Sequence, residues 1–129
     1  MAGTSRLLDT NIVAAILNQE EKLLARVAGI TVYIPSIVLG ELYYGARKSA
    51  RSAENIKRIE TLLKGYDVLA CDEATAVHYS QIKLELRLKG RPIPENDIWI
   101  AAVARQHELV LVTRDAHFAE VAKLKTEAW

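Results

Sequence analysis

The chain has 129 residues, of which half are hydrophobic and 26% are charged, as is typical of a globular protein with one domain. Its formal net charge of +1 excludes a strongly basic surface overall, so any contact with nucleic acid must use a local patch. The single cysteine, Cys71, excludes an internal disulfide framework. The sequence shows neither a signal-peptide pattern nor an apolar run long enough to cross a membrane, and we therefore expect a cytoplasmic protein.

Strand and helix patterns alternate along the sequence. Short apolar or β-branched runs predict the strands, and apolar residues at three- and four-residue spacing predict the helices. The predicted elements are a strand at 5–8, helices at 10–17 and 20–28, a strand at 31–34, helices at 35–45 and 52–64, a strand at 66–70, helices at 72–89 and 96–107, a strand at 109–112 and a short helical segment at 115–121. Alternation of this kind favours an α/β fold whose central parallel sheet is flanked by α-helices on both faces.

Two of the helix starts carry a capping residue. Asp72 and Asn96 are residue types that accept hydrogen bonds from the first turn of a helix, so we expect them to be N-caps. The helix after Asp72 has a largely apolar face at helical spacing. The residues of that face are Ala74, Val77, Gln81, Leu84 and Leu88.

Four acidic residues stand beside elements that the sequence predicts to be buried. Asp9 directly follows one predicted strand and Asp115 lies just beyond the end of another, and the carboxyl ends of parallel strands meet at one edge of the sheet. Glu41 interrupts an apolar helix, and Asp97 lies in the first turn of another, where the helix dipole favours an anion. Buried carboxylates must be paired, hydrogen-bonded or bound to metal, and hard oxygen ligands suit Mg²⁺ or Mn²⁺. A shared divalent cation is the simplest single explanation of the four acids.

Each acid also has a structural explanation of its own. Asp9 and Asp115 could cap the short helices that follow them, and Asp97 could stabilise a helix N-terminus without any further role. Glu41 could pair with an arginine from elsewhere in the chain. The joint pattern is more specific than any of its members, and it favours the metal site.

The segments that contain these acids resemble the PIN-domain nucleases, most closely the VapC-type toxins of prokaryotic toxin–antitoxin pairs. The matching segments are Leu7-Leu8-Asp9-Thr10-Asn11, Glu41-Leu42-Tyr43-Tyr44-Gly45, Asn96-Asp97 and Leu111-Val112-Thr113-Arg114-Asp115, with Phe118 following. The resemblance extends over nearly the whole chain, so it implies a single PIN-like domain at residues 1–129.

The resemblance implies an endoribonuclease with an acidic quartet that binds Mg²⁺ or Mn²⁺. Carried over to this sequence, the quartet is Asp9, Glu41, Asp97 and Asp115. The polar residues implied to orient the quartet or to accompany it are Asn11, Asn96 and Thr113. The implied partners are an RNA substrate (tRNA, rRNA or mRNA), a VapB-type antitoxin that blocks the site and a second copy of the chain in a homodimer, with no membrane contact.

Phosphate contacts are expected from basic residues near the acids. Residues 47–64 have a local net charge of +4, although Lys57 and Lys64 are better explained as part of a solvated helix face. The candidate RNA-binding residues are Arg47, Lys48, Arg91 and Arg114. Arg114 departs from the small polar residue found in many relatives, and pairing with an acid is slightly favoured over a phosphate contact. The histidines at 78, 107 and 117 lie in separate segments and are predicted to occupy helix surfaces.

Two other functions compete with the nuclease. The first is a catalytically silent module of the same fold that binds RNA or a partner, and the complete quartet argues against it. The second is a phosphoaspartate enzyme or receiver domain, which also places acids at strand ends. A phosphoaspartate phosphatase would need a second aspartate where Asn11 stands, and a receiver would need adjacent acids near its start. The sequence therefore favours the nuclease.

Overall fold

The computed structural model describes residues 5–129, and their elements lie close to the predicted positions. The elements are β1 (Ser5–Leu8), α1 (Thr10–Leu17), α2 (Glu21–Val27), β2 (Thr31–Pro35), α3 (Ser36–Arg47), α4 (Ser52–Leu63), β3 (Asp67–Leu69), α5 (Glu73–Leu88), α6 (Glu95–Gln106), β4 (Val110–Val112), a 3₁₀ turn (Ala116–Glu120) and β5 (Thr126–Glu127). The α/β class predicted from the sequence is confirmed.

The strands form one parallel sheet in the order β3-β2-β1-β4-β5. The edge strand β5 was not predicted, because a strand of two residues is too short to show a period. It is held on β4 with Leu111 opposite Thr126. Its Glu127 also accepts two hydrogen bonds from the guanidinium of Arg6, each 3.0 Å long, so β5 is tied across β4 to the central strand.

The core lies between the central strands and the helices that cover them. Leu7, Leu8 and Leu111 of the two central strands are fully buried. Helix α6 is buried over the continuous run 100–104, which includes three alanines. A helix that is apolar on every side can be accommodated only when it is covered on every side, and α6 packs against α5 as well as against α3 and β4. The first turn of α6, which carries Asp97, is thereby fixed relative to the sheet.

The apolar face predicted for α5 does not face the core. Val77, Leu84 and Leu88 are 52%, 55% and 78% exposed, whereas Ile82 and Leu86 on another stripe of the same helix are buried. Both stripes carry apolar residues at helical spacing, so the pattern is ambiguous and the packing against α6 decides which stripe is buried.

The two predicted N-caps have different outcomes. Asp72 caps α5 in a capping box, in which its carboxylate accepts from the Thr75 amide and the Thr75 hydroxyl accepts from the Asp72 amide. The prediction for Asn96 is wrong, because α6 begins one residue earlier, at Glu95, and Pro94 occupies the cap position. Pro94 has an extended backbone there and supplies no side-chain hydrogen bond to the first turn.

The parallel topology brings two of the acids to one edge of the sheet. Strands β1 and β4 are neighbours with Leu8 opposite Val112, so the residues that follow them, Asp9 and Asp115, lie at the same carboxyl edge. The Asp9 amide donates to the Val112 carbonyl at 3.0 Å and continues the ladder by one residue. Among residues 5–129, every helix is too short or too polar to cross a membrane.

Candidate active site

Asp9 is a buried carboxylate whose oxygens are held by several donors. It is only 4% exposed and follows the last residue of β1. Its Oδ1 accepts from the Thr10 amide at 2.8 Å, and its Oδ2 accepts from the Thr113 hydroxyl at 2.6 Å and from the Asn11 side-chain amide at 3.4 Å. Asp9 does cap α1, which is the structural role considered for it from the sequence. A helix cap does not require the additional hydrogen bonds from Thr113 and Asn11.

Glu41 is held at the same edge by the chain segment that follows β1. Its Oε1 accepts a hydrogen bond from the Thr10 hydroxyl at 2.9 Å. Thr10, the residue after Asp9, therefore contacts the middle of α3. The ion pair with an arginine that we considered for Glu41 is absent from residues 5–129. Glu41 therefore brings a largely uncompensated negative charge to the cluster.

Asp97 and Asp115 meet around the imidazole of His117. The His117 Nδ1 atom lies 3.1 Å from Asp97 Oδ2 and 3.1 Å from Asp115 Oδ1. The carboxylate oxygens and the nitrogen all lie within 4.8 Å of one another. Asp115 also caps the 3₁₀ turn, since its Oδ1 accepts from the His117 amide at 2.9 Å. Two acids that are far apart in sequence thus converge on one point.

The pKa values of the acids reflect their burial and their mutual repulsion. Burial is the main cause that raises the pKa of Asp9, Glu41 and Asp97. Neighbouring acids raise these pKa values further: Asp115 acts on Asp9 and on Asp97, and Asp9 acts on Glu41 and on Asp97. The four carboxylates therefore form one electrostatically linked cluster, and three of them are more costly to ionise than a carboxylate in water.

This cluster leads us to expect that acid stabilises the metal-free protein. Because the pKa values of Asp9, Glu41 and Asp97 are raised in the folded state, the folded protein binds protons more tightly there than the unfolded chain does. Their contribution to stability is complete below the ordinary carboxyl pKa of about 4 and is lost as the pH rises through the raised values. We expect the Tm in chelator to increase as the pH is lowered from about 7 to about 5.

Calorimetric scans across that range test the expectation, and a Tm that fell with the pH would contradict it. Exposed carboxylates with lowered pKa values, such as Glu20 and Glu95, have the opposite effect. Their stabilising contribution is lost only below the ordinary carboxyl range near pH 4, so scans above about pH 5 exclude the effect of these exposed acids.

The cluster fits a divalent cation by the chemistry of its donors. It offers carboxylate oxygens that lack a lysine or arginine partner among residues 5–129, at the edge of a parallel sheet where ligands commonly bind. Thr113, Asn11 and Thr10 hold the carboxylates in place, as residues around a metal site do.

Comparisons with known proteins identify the family of the chain. The family model of the PIN domain matches residues 6–124. The chain belongs to the PIN-domain family. It is 41% identical to Ribonuclease VapC2 of Haemophilus influenzae, over 95% of this chain and 96% of that protein. It is 39% identical to the tRNA(fMet)-specific endonuclease VapC of Shigella flexneri over the same shares.

The structure of a relative supports the same assignment. A chain in the DNA-bound VapBC structure from Salmonella typhimurium superposes with a TM-score of 0.92 at 35% identity, over 97% of this chain and 98% of that one. The family resemblance predicted from the sequence is thus confirmed, and this PIN domain is a nuclease of the VapC group.

Thr113 links two acids of this PIN domain. Its hydroxyl donates to Asp9 Oδ2 and accepts from the Asp115 amide at 3.0 Å, and the residue is 5% exposed. We expect Thr113→Val to lower nuclease activity by about 10- to 100-fold, because the two acids lose their common partner. Thr113→Ser keeps the hydroxyl and should lose much less. Single-turnover RNA cleavage with equal folded fractions measures both variants, and equal losses would contradict the role of the hydroxyl.

Asn11 and Asn96 differ in what the structure shows of them. Asn11 bridges the two strand ends, because its Nδ2 approaches Asp9 and its Oδ1 accepts from the Arg114 amide at 3.2 Å. Asn96 is exposed on the first turn of α6 and makes no side-chain hydrogen bond with any other residue of the range 5–129. The structure thus brings Asn11 into the cluster and leaves Asn96 at its margin.

The predicted RNA-binding residues lie in different surroundings. Arg91 is exposed and shares a groove with His117, next to the acids. Arg47 is exposed at the end of α3, and the Lys48 ammonium lies 5.0 Å from the centre of the Tyr44 ring. Arg114 pairs with Glu20 at 3.0 Å and donates to the Trp129 carbonyl, so the expected pairing with an acid is confirmed.

Two residues of the cluster were missed by sequence reasoning. Thr10 stands in the opening motif without a predicted role, although its hydroxyl holds Glu41. The predicted helix-surface position of His117 is confirmed, because the residue is exposed on the 3₁₀ turn. The contacts of its ring with Asp97 and Asp115 were not predicted. The available signal was its position two residues after Asp115.

Proposed function

We propose that this chain, as a single PIN-like domain over residues 1–129, is an endoribonuclease that depends on Mg²⁺ or Mn²⁺ and acts as the toxin of a toxin–antitoxin pair. The observation that carries the proposal is the cluster of Asp9, Glu41, Asp97 and Asp115 at one sheet edge. Three of these acids have raised pKa values because they are buried together. A divalent cation relieves this repulsion better than any side chain within reach.

The proposed chemistry is hydrolysis of an RNA phosphodiester bond. A bound divalent cation would supply an activated water and neutralise the charge that develops on the phosphate. The four acids would be its ligands, directly or through water. Thr113 and Asn11 keep Asp9 in one orientation, and Thr10 does the same for Glu41. Such fixed positions lower the barrier because the ligands need not reorganise during the reaction.

Basic residues on two sides of the acids are proposed to hold the RNA. Arg91 lies in the groove beside His117, and Arg47 and Lys48 lie at the end of the helix that carries Glu41. Contacts of this kind position the backbone without reading the base sequence. Arg114 can reach a phosphate only by leaving Glu20, so we assign it first to the support of the loop that carries Asp115.

The proposed protein partners follow from the relatives. The Salmonella typhimurium neighbour is a VapBC complex, and we propose a VapB-type antitoxin for this chain as well. A homodimer is proposed too, and the exposed apolar stripe of α5, with Val77, Leu84 and Leu88, provides a surface that a second copy could cover. The Shigella flexneri relative is a tRNA(fMet)-specific endonuclease, so tRNA is the first RNA to test.

Cleavage of an RNA pool that contains tRNA tests the function. The purified, antitoxin-free protein is incubated with Mg²⁺, with Mn²⁺ and with chelator, and the products are mapped by their new ends. Cleavage that requires metal and returns when metal is added back supports the proposal. A folded protein that binds RNA tightly and cleaves none under any condition would contradict the nuclease and favour the silent binding module.

A further inference from the structure

The imidazole of His117 is a nitrogen donor inside a site that otherwise offers only oxygen. Its Nδ1 lies 3.1 Å from one oxygen of Asp97 and 3.1 Å from one oxygen of Asp115. A ring nitrogen carries at most one proton, which can point well at only one of the two oxygens. The second close approach is therefore left without a hydrogen bond of its own, whereas one cation among the three atoms would attract all of them.

Two of the three separations among these atoms suit such a cation. Adjacent ligands of an octahedral ion with bonds of about 2.1 Å are separated by about 3.0 Å. The 3.1 Å distances from His117 Nδ1 to each carboxylate oxygen agree with this value. The two carboxylate oxygens lie within 4.8 Å of each other, so side-chain shifts can bring all three atoms to one ion.

The backbone that carries the ring is fixed by the fold. His117 is the second residue of the 3₁₀ turn, and its amide donates to Asp115 at 2.9 Å. The next residue, Phe118, is 1% exposed and anchors the turn in the core. The His117 side chain itself is 50% exposed, so it borders the site and is not a packing residue.

We propose that His117 Nδ1 is a metal ligand, together with Asp97 and Asp115, and that this mixed set makes the site prefer Mn²⁺ over Mg²⁺. The proposal rests on the metal site of the proposed function. It adds a nitrogen ligand to that site and a preference for Mn²⁺ over Mg²⁺. Imidazole binds transition-metal ions well, whereas Mg²⁺ favours oxygen ligands and water. Loss of the nitrogen should thus weaken the binding of Mn²⁺ much more than that of Mg²⁺.

Pulsed EPR of the Mn²⁺-loaded protein tests the ligation directly. A nitrogen bound to Mn²⁺ gives an electron-spin-echo modulation, and ¹⁵N-labelled histidine changes its frequency and thereby assigns it to a ring. We compare wild type with His117→Gln, which retains an N–H donor for the carboxylates, and with His107→Gln as a matched control. His107 is exposed at the other end of α6.

Support requires histidine-nitrogen modulation in wild type and in His107→Gln, and its loss in His117→Gln. In calorimetric titrations, His117→Gln should lower the affinity for Mn²⁺ by about tenfold or more and that for Mg²⁺ by less than about threefold. Mn²⁺ binding without histidine-nitrogen modulation would overturn the ligation but leave the proposed nuclease intact. A folded wild type that binds neither ion would overturn the metal site and the ligation together.

Discussion

Asp97→Asn is expected to lower RNA cleavage by at least about 100-fold while the protein remains folded. The Asp97 carboxylate lies at the meeting point of Asp115 and His117, and its side chain is only 14% exposed. An amide supplies a weaker ligand and no negative charge, and metal ions contribute several kcal/mol of transition-state stabilisation. Since about 1.4 kcal/mol corresponds to a factor of ten in rate, a loss of two orders of magnitude or more follows.

A matched control separates this loss from a general effect on helix stability. Asp97 lies in the first turn of α6, and Glu73 lies in the first turn of α5. Either amide variant removes a negative charge from a helix N-terminus, so both lose the same small interaction with the helix dipole. Single-turnover cleavage at saturating Mn²⁺, with circular dichroism of each sample, compares the two. Equal activity of Asp97→Asn and Glu73→Gln would exclude Asp97 from the chemistry.

Millimolar Mn²⁺ is expected to raise the Tm of the wild type, and Glu41→Gln is expected to reduce that rise. An ion present at ten times its Kd stabilises the folded state by about 1.4 kcal/mol, which corresponds to roughly 4–7 °C for a chain of this size. Without metal, Glu41→Gln should be more stable than wild type by a few degrees. Its carbonyl oxygen still accepts from Thr10, while the charge that burial and the neighbouring acids disfavour is removed.

Glu60→Gln is the control for this pair of effects. Glu60 is an exposed acid inside α4, so its removal changes the net charge equally without touching the cluster. Differential scanning calorimetry with chelator and with Mn²⁺ gives all the values. A metal-free Glu41→Gln that melts clearly below wild type would refute the repulsion argument. An equal Mn²⁺ shift in Glu41→Gln and Glu60→Gln would exclude Glu41 from the metal site.

The sequence by itself determined the α/β class and most element positions. Strand runs, helical spacing and a cap such as Asp72 depend on residues within a few positions of one another, so they can be read locally. The placement of Asp9 and Asp115 at one edge was also predictable, because parallel strands align their carboxyl ends. The roles of the quartet in catalysis stay predictions until the variants are measured.

Only the tertiary structure decided the contacts between distant segments. Thr10 and Glu41 are 31 residues apart, and Asp97 and His117 are 20 residues apart, so no local pattern could pair them. The same holds for β5, which forms only by pairing with the edge of β4. It also holds for α5, in which packing against α6 decides which of two similar apolar stripes is buried. Local chemistry specifies which elements form, whereas the burial of one element against another specifies which side chains meet.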